Sequence, residues 1–131
     1  MTDAELIAHA QEAMARAYAP YSGYKVGAAL LTKSGRIYLG CNLENASFSP
    51  TICAERTAFA KAVSEGERDF AAIAVIGGKE GAASGFCPPC GVCRQVMREF
   101  CRDDFRILLG RADGECRSFT LAQLLPESFS L

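Results

Sequence analysis

Residues 53–56 read Cys-Ala-Glu-Arg, and residues 87–93 read Cys-Pro-Pro-Cys-Gly-Val-Cys. Cys90 and Cys93 stand at i and i+3, positions that share a face at a helix start, so both sulfurs can reach one ion. Pro88 and Pro89 stiffen the loop before them. Cys53 falls in the first turn expected for the preceding helix. A helix N-terminus favours negative charge there and so favours the thiolate that binds metal. Two helix starts facing each other would bring three thiolates to one point. Three protein ligands leave a tetrahedral zinc with one open position, which is the catalytic pattern; a structural zinc takes four. A water in that position has a pKa of about 7. Glu55 could move its proton if it lies within hydrogen-bond reach. Three thiolates on a divalent ion also leave surplus negative charge, which weakens the Lewis acid. Arg56, hydrogen-bonded to the sulfurs, would offset that charge; its alternative is an ordinary pairing with a surface carboxylate.

On these residues alone, other readings stay open. A C-x-x-C pair also occurs in redox sites and zinc knuckles, and free cysteine is a common small core residue. Cys87-x-x-Cys90-x-x-Cys93 resembles the opening of an iron–sulfur run. Its fourth cysteine would fall at Met97, so Cys53 would have to replace it and Glu55 would have no part. Catalytic zinc, structural zinc and a redox or iron–sulfur site are therefore alternatives. The one histidine, His9, is far in sequence from the cluster and is expected at the surface or in packing.

The elements that must position these groups follow from periodicity. Leu6, Ile7, Ala10, Ala13, Met14 and Ala17 recur at helical spacing, so residues 3–18 are expected to form a helix capped by Thr2 or Asp3 and ended by Pro20. Residues 19–24 form a loop. Residues 25–32 and 36–42 read as a hairpin around Lys33-Ser34-Gly35. Residues 43–50 are irregular, and 51–65 read as a second helix. The apolar run at 70–76 fits a strand buried on both faces. A glycine-rich loop, 77–88, leads to a third helix at 91–101. Strands at 105–109 and 115–119 flank Asp113-Gly114, and 121–125 form a short last helix. Helices alternating with buried strands predict one layered α/β domain over residues 1–131.

The totals exclude several classes. The chain has 131 residues and a net charge of −1, so no basic surplus points to nucleic acid. Met97 to Arg102, interrupted by Glu99, reads as a solvated helix face. No apolar run approaches membrane-spanning length, and the polar, acidic start does not resemble a signal peptide. Seven cysteines, an odd number, do not suit a closed disulfide framework, so a cytoplasmic protein using clustered thiols for metal or catalysis is expected.

Cys53-Ala54-Glu55 followed by Pro89-Cys90-Gly91-Val92-Cys93 resembles the signature of zinc-dependent nucleoside deaminases. Pro20-Tyr21-Ser22, Val26 to Leu30, Gly40 to Ala46, Cys53 to Ala58, Cys93 to Val96 and Leu124-Leu125-Pro126 to Phe129 extend the likeness to the small homotetrameric cytidine deaminases. The resemblance implies a three-layer α/β/α sandwich with a mixed five-stranded sheet. It implies one zinc per subunit, held by Cys53, Cys90 and Cys93, with Glu55 shuttling protons and Arg56 moderating thiolate charge. It implies hydrolytic deamination of cytidine and 2′-deoxycytidine to uridine and 2′-deoxyuridine, with ammonia released, in pyrimidine salvage. Asn42 and Glu44 match the family's ribose-binding pair. The Ala54 N–H is expected on the pyrimidine carbonyl. Tyr24 falls where a phenylalanine often stacks near the base, so its hydroxyl is a departure. Phe129 matches a C-terminal aromatic that reaches a neighbouring subunit's site. Neither nucleic acid nor membrane is implied as a partner. Cys41, Cys87, Cys101 and Cys116 have no ligand role; Cys41 and Cys101 are expected as core thiols, while Cys87 lies close enough to the cluster to need watching. A blasticidin-type deaminase shares the zinc signature but is expected to lack the run at 42–46. A polynucleotide deaminase would need a basic groove. A non-catalytic zinc or redox module would leave Glu55 dispensable.

Overall fold

The first helix begins on reciprocal hydrogen bonds. The Thr2 hydroxyl accepts from the Glu5 amide, and the Glu5 carboxylate accepts from the Thr2 amide. In this computed structural model, which describes all 131 residues, that helix is α1, Asp3–Met14. It stops short of the expected residue 18 because Tyr18 is claimed by the chain that follows β2. Its amide donates to the Asn42 carbonyl (3.0 Å), and its carbonyl accepts from the Glu44 amide (2.9 Å).

β1 (Tyr24–Thr32) and β2 (Ile37–Cys41) form the expected hairpin. α2 spans Ala54–Ser64, and β3 spans Phe70–Lys79. β3 runs further than expected because Gly77 and Gly78 continue the ladder to β1 instead of opening a loop. α3 (Gly91–Phe100), β4 (Arg106–Gly110), β5 (Cys116–Thr120) and α4 (Leu121–Leu124) follow. The five strands make one mixed sheet in the order β2-β1-β3-β4-β5, with β3 and β4 parallel and every other pair antiparallel.

Alternate residues of the central strands face opposite layers. On one side Ala29, Ala72, Ala74, Ile76 and Leu108 meet Leu6, Ala10 and Met14 of α1. On the other, Ala28, Leu30, Ile73, Val75, Ile107 and Leu109 meet Phe59 of α2, Cys93 and Met97 of α3 and Leu121 of α4. The molecule is thus the α/β/α sandwich that the resemblance implied.

Two glycines let helices rest directly on the sheet. A Cβ on Gly27 would fall 2.0 Å from the Ala10 carbonyl oxygen of α1. A Cβ on Gly40 would fall 2.4 Å from the Ala54 carbonyl oxygen, in the first turn of α2. Gly40 therefore sets the height at which the start of α2 crosses β2, and with it the position of Cys53 and Glu55.

Candidate metal centre and pocket

The starts of α2 and α3 meet above the sheet. Cys53 and Cys90 are the N-cap residues of the two helices, one position outside the first turn, both in extended backbone. An N-cap side chain can turn back over its helix end, and Cys90 does so. Cys90 Sγ accepts from the Cys93 amide at 3.5 Å, while Cys53 makes no side-chain cap. The Cys53 and Cys90 sulfurs are 3.7 Å apart, those of Cys90 and Cys93 are 3.4 Å apart, and all three lie within 4.8 Å of one another. Tetrahedral zinc with bonds of about 2.3 Å needs sulfur–sulfur spacings of about 3.8 Å. The three thiols therefore fit a zinc ion with one position left over.

Charge is distributed unevenly over the cluster. The neighbouring Cys93 thiol first, and then Arg56, whose Nη2 donates to the Cys53 sulfur at 3.4 Å, hold Cys53 well below the ordinary thiol range. Cys93, beside the Cys53 sulfur and buried, is pushed up. Arg56 thus takes the place that the charge argument gave it. Its Nε is buried without an acceptor.

Glu55 is only 4 % exposed. Burial pushes its carboxyl up to about 7, and the negative Cys53 adds to that, while its own amide and the Cys93 thiol pull the other way. A carboxyl that is half protonated near neutrality can both take and give a proton.

Beside the cluster a pocket of about 210 Å³ is lined by Val26, Asn42, Glu44, Thr51, Ile52, Cys53, Ala54, Glu55, Cys87, Pro88 and Cys90. It joins two of the three expected metal ligands, Cys53 and Cys90, and the expected acid/base to the expected ribose pair. Asn42 and Glu44 are themselves tied to the 21–26 segment. Asn42 Oδ1 accepts from the Val26 amide (2.9 Å), and Nδ2 donates to the Tyr24 carbonyl (2.8 Å). Glu44 Oε1 accepts from the Tyr21 and Ser22 amides (2.9 and 3.1 Å), and Oε2 accepts from the Ser22 hydroxyl. Ser22 stood only in the quoted motif; its clamp on Glu44 needs the fold to be seen.

Tyr24 sits at the start of β1, where burial first and then the neighbouring Cys87 push its hydroxyl above the ordinary range. Cys87 lines the pocket but is not one of the three clustered thiols. Burial pushes it up to about 11. Phe129 is 69 % exposed on the C-terminal tail, does not line the pocket, and offers its carbonyl to Gln95 Nε2 at 3.4 Å. Cys101 is the core thiol expected, whereas Cys41 on edge strand β2 is only half-buried and donates to the Arg16 carbonyl. His9 faces Glu12 on α1, across the sheet from the cluster.

Comparison with known proteins agrees with this geometry. Residues 1–109 match the family model of the cytidine and deoxycytidylate deaminase zinc-binding region. A cytidine deaminase from Sporosarcina psychrophila is 51 % identical over 126 residues, covering 96 % of this chain and 90 % of the relative. One from Halalkalibacterium halodurans is 49 % identical over 125 residues, covering 95 % and 92 %. The crystal structure of cytidine deaminase from Burkholderia pseudomallei superposes with a TM-score of 0.91 at 46 % identity, over 98 % of this chain and 100 % of the other.

Proposed function

The chain belongs to the cytidine and deoxycytidylate deaminase family and is a zinc enzyme that deaminates cytidine; from that premise we propose how its residues divide the work. Cys53, Cys90 and Cys93 would hold the zinc, which would supply a Lewis acid able to lower the pKa of water to about 7. Glu55 takes a proton from the attacking water, delivers it to N3 of the base, and then carries a proton to the departing amine. Water adds at C4, the C4–N4 bond breaks, and uridine and ammonia result. The observation that carries this assignment is the buried Glu55 carboxyl beside three sulfurs at zinc spacing.

Arg56 spreads the negative charge of the thiolates through its contact with Cys53. Asn42 and Glu44 take the ribose hydroxyls, and 2′-deoxycytidine is accepted as well. The Ala54 N–H, at the first position of α2, takes the base carbonyl. Tyr24 borders the base. Residues 1–131 act as one domain, since one sheet runs through the chain.

The working form is a homotetramer in which Phe129 reaches a neighbour's pocket. Its exposure, on a tail that does not line its own pocket, supports this. Free, clustered cysteines suit the cytoplasm and a place in pyrimidine salvage.

The test is the ultraviolet spectrum of cytidine incubated with purified protein and with Glu55→Gln. Conversion to the uridine spectrum by the wild type alone is expected. Turnover retained in the variant would remove Glu55 from the mechanism.

A further inference from the structure

Phe86 lies in the loop between β3 and α3, one residue before Cys87. Two guanidinium groups lie over its ring. The Arg111 Cζ is 4.8 Å from the ring centroid, and the Arg117 Cζ is 4.4 Å from it. Both come from the β4–β5 hairpin, and both lie beyond residue 109, where the family match ends. Like charges repel, so two cations brought to one ring need reasons to stay. The ring face attracts each of them. Arg111 is also fixed by a fork onto Asp113, with Nε to Oδ1 at 3.1 Å and Nη2 to Oδ2 at 2.6 Å.

The same hairpin holds the loop at a second point, where the Ala112 amide donates to the Ala83 carbonyl at 2.9 Å. Ala83 is fully buried in a left-handed conformation (φ +49°) against the bare backbone of Gly78, where a Cβ would lie 2.5 Å from the Ala83 nitrogen. Further on, Arg94 Nε donates to the Pro89 carbonyl at 2.7 Å. The loop is therefore pinned at Ala83, Phe86 and Pro89. Cys87 and Pro88 span the last two pins, and Cys90 follows.

We propose that Arg111 and Arg117 are positioning residues of the metal centre: by gripping Phe86 they hold the segment that carries Cys90 at the spacing of the thiol cluster. The inference rests on the zinc reading above. It adds that the β4–β5 hairpin, which contributes nothing to the pocket lining, governs how tightly that zinc is kept.

The experiment measures the rate at which purified holoprotein gives up zinc to a colorimetric chelator. The variants are Phe86→Leu, Arg117→Gln, Arg111→Gln/Arg117→Gln and the cation-conserving Arg111→Lys/Arg117→Lys. The double Gln variant and Phe86→Leu should release zinc about tenfold faster, matching roughly 1.4 kcal/mol of lost cation–π attraction. The Lys pair should largely restore the wild-type rate. The ligand-field absorption of the cobalt-substituted protein should shift in the fast variants, since the sulfur geometry changes. An unchanged release rate in both fast-release candidates would overturn the proposal while leaving the metal centre intact. Faster release that merely tracks a lower Tm of the metal-free variants would also overturn it. A wild type that yields no zinc would reject the metal centre, and the proposal with it.

Discussion

The two faces of the sheet are built from the same strands and used differently. Under α1 the contact is almost wholly aliphatic, with alanines 29, 72 and 74 beneath Leu6, Ala10 and Met14. Under α2 and α3 the core holds Phe59, Met97 and Leu109, yet it also encloses Glu55 and Cys93. Among the buried side chains Glu55 is the one carboxylate. A lone buried carboxyl opposes folding unless hydrogen-bonded, and here the Cys93 thiol and its own amide serve it only in part. The α1 face is where stability is made without chemistry; the α2/α3 face gives up some stability to hold groups in readiness.

Glu55→Gln breaks the comparison most sharply. It should lower kcat by about 10³–10⁴-fold while leaving zinc content unchanged and Tm equal or higher, because a neutral amide replaces a carboxyl that burial disfavours. Steady-state kinetics beside thermal melts checks both halves. On the opposite face Leu6→Ala should do the reverse. It should cost about 3 kcal/mol of stability and leave kcat and KM as they are in protein that remains folded; denaturant titration and kinetics decide it. The two glycine seats sharpen the contrast further. Gly27→Ala and Gly40→Ala should each destabilise by about 1–3 kcal/mol. Only Gly40→Ala should also lower kcat/KM, because α2 carries Cys53 and Glu55 whereas α1 carries no site residue.

The smallest effect concerns pH. The Ser22 hydroxyl first, then the Ser22 and Tyr21 amides, hold the Glu44 carboxyl below the ordinary range. Its contribution is fully present above the unfolded pKa of about 4.3 and is lost as pH falls through the lower folded value. Tm should therefore drop slightly more steeply below about pH 4.3 in the wild type than in Glu44→Gln. Parallel slopes would remove the clamp from the account.

The chemistry was legible in the sequence because it depends on residue type and short spacing. Cys53, Glu55, Cys90 and Cys93 were found that way, and the structure brings them together. The β3 core was legible from its continuous apolar run. What escaped depends on distant partners. Ala15 to Ala17 keep helical spacing, yet α1 ends because residues 42–44 take the Tyr18 backbone. Gly77 and Gly78 look like loop residues in isolation but stay in the ladder because Lys25 and Val26 lie opposite. Cys53 proved to be the cap of α2 rather than a first-turn residue, because the helix starts at Ala54 and not at 51, a boundary shift that periodicity cannot resolve. Nothing local to Phe86 announces two arginines that arrive 25 and 31 residues later.

Cys53 closes α2 without capping it, since its sulfur is turned to the cluster rather than to the helix's own amides. The first turn therefore presents its positive end to the pocket wall formed by Ala54 and Glu55. An acceptor that enters there meets a helix still lacking its stopper. A base carbonyl placed there would supply what a serine or aspartate supplies at an ordinary helix start. Recognition of a ligand and completion of a helix would then be one event.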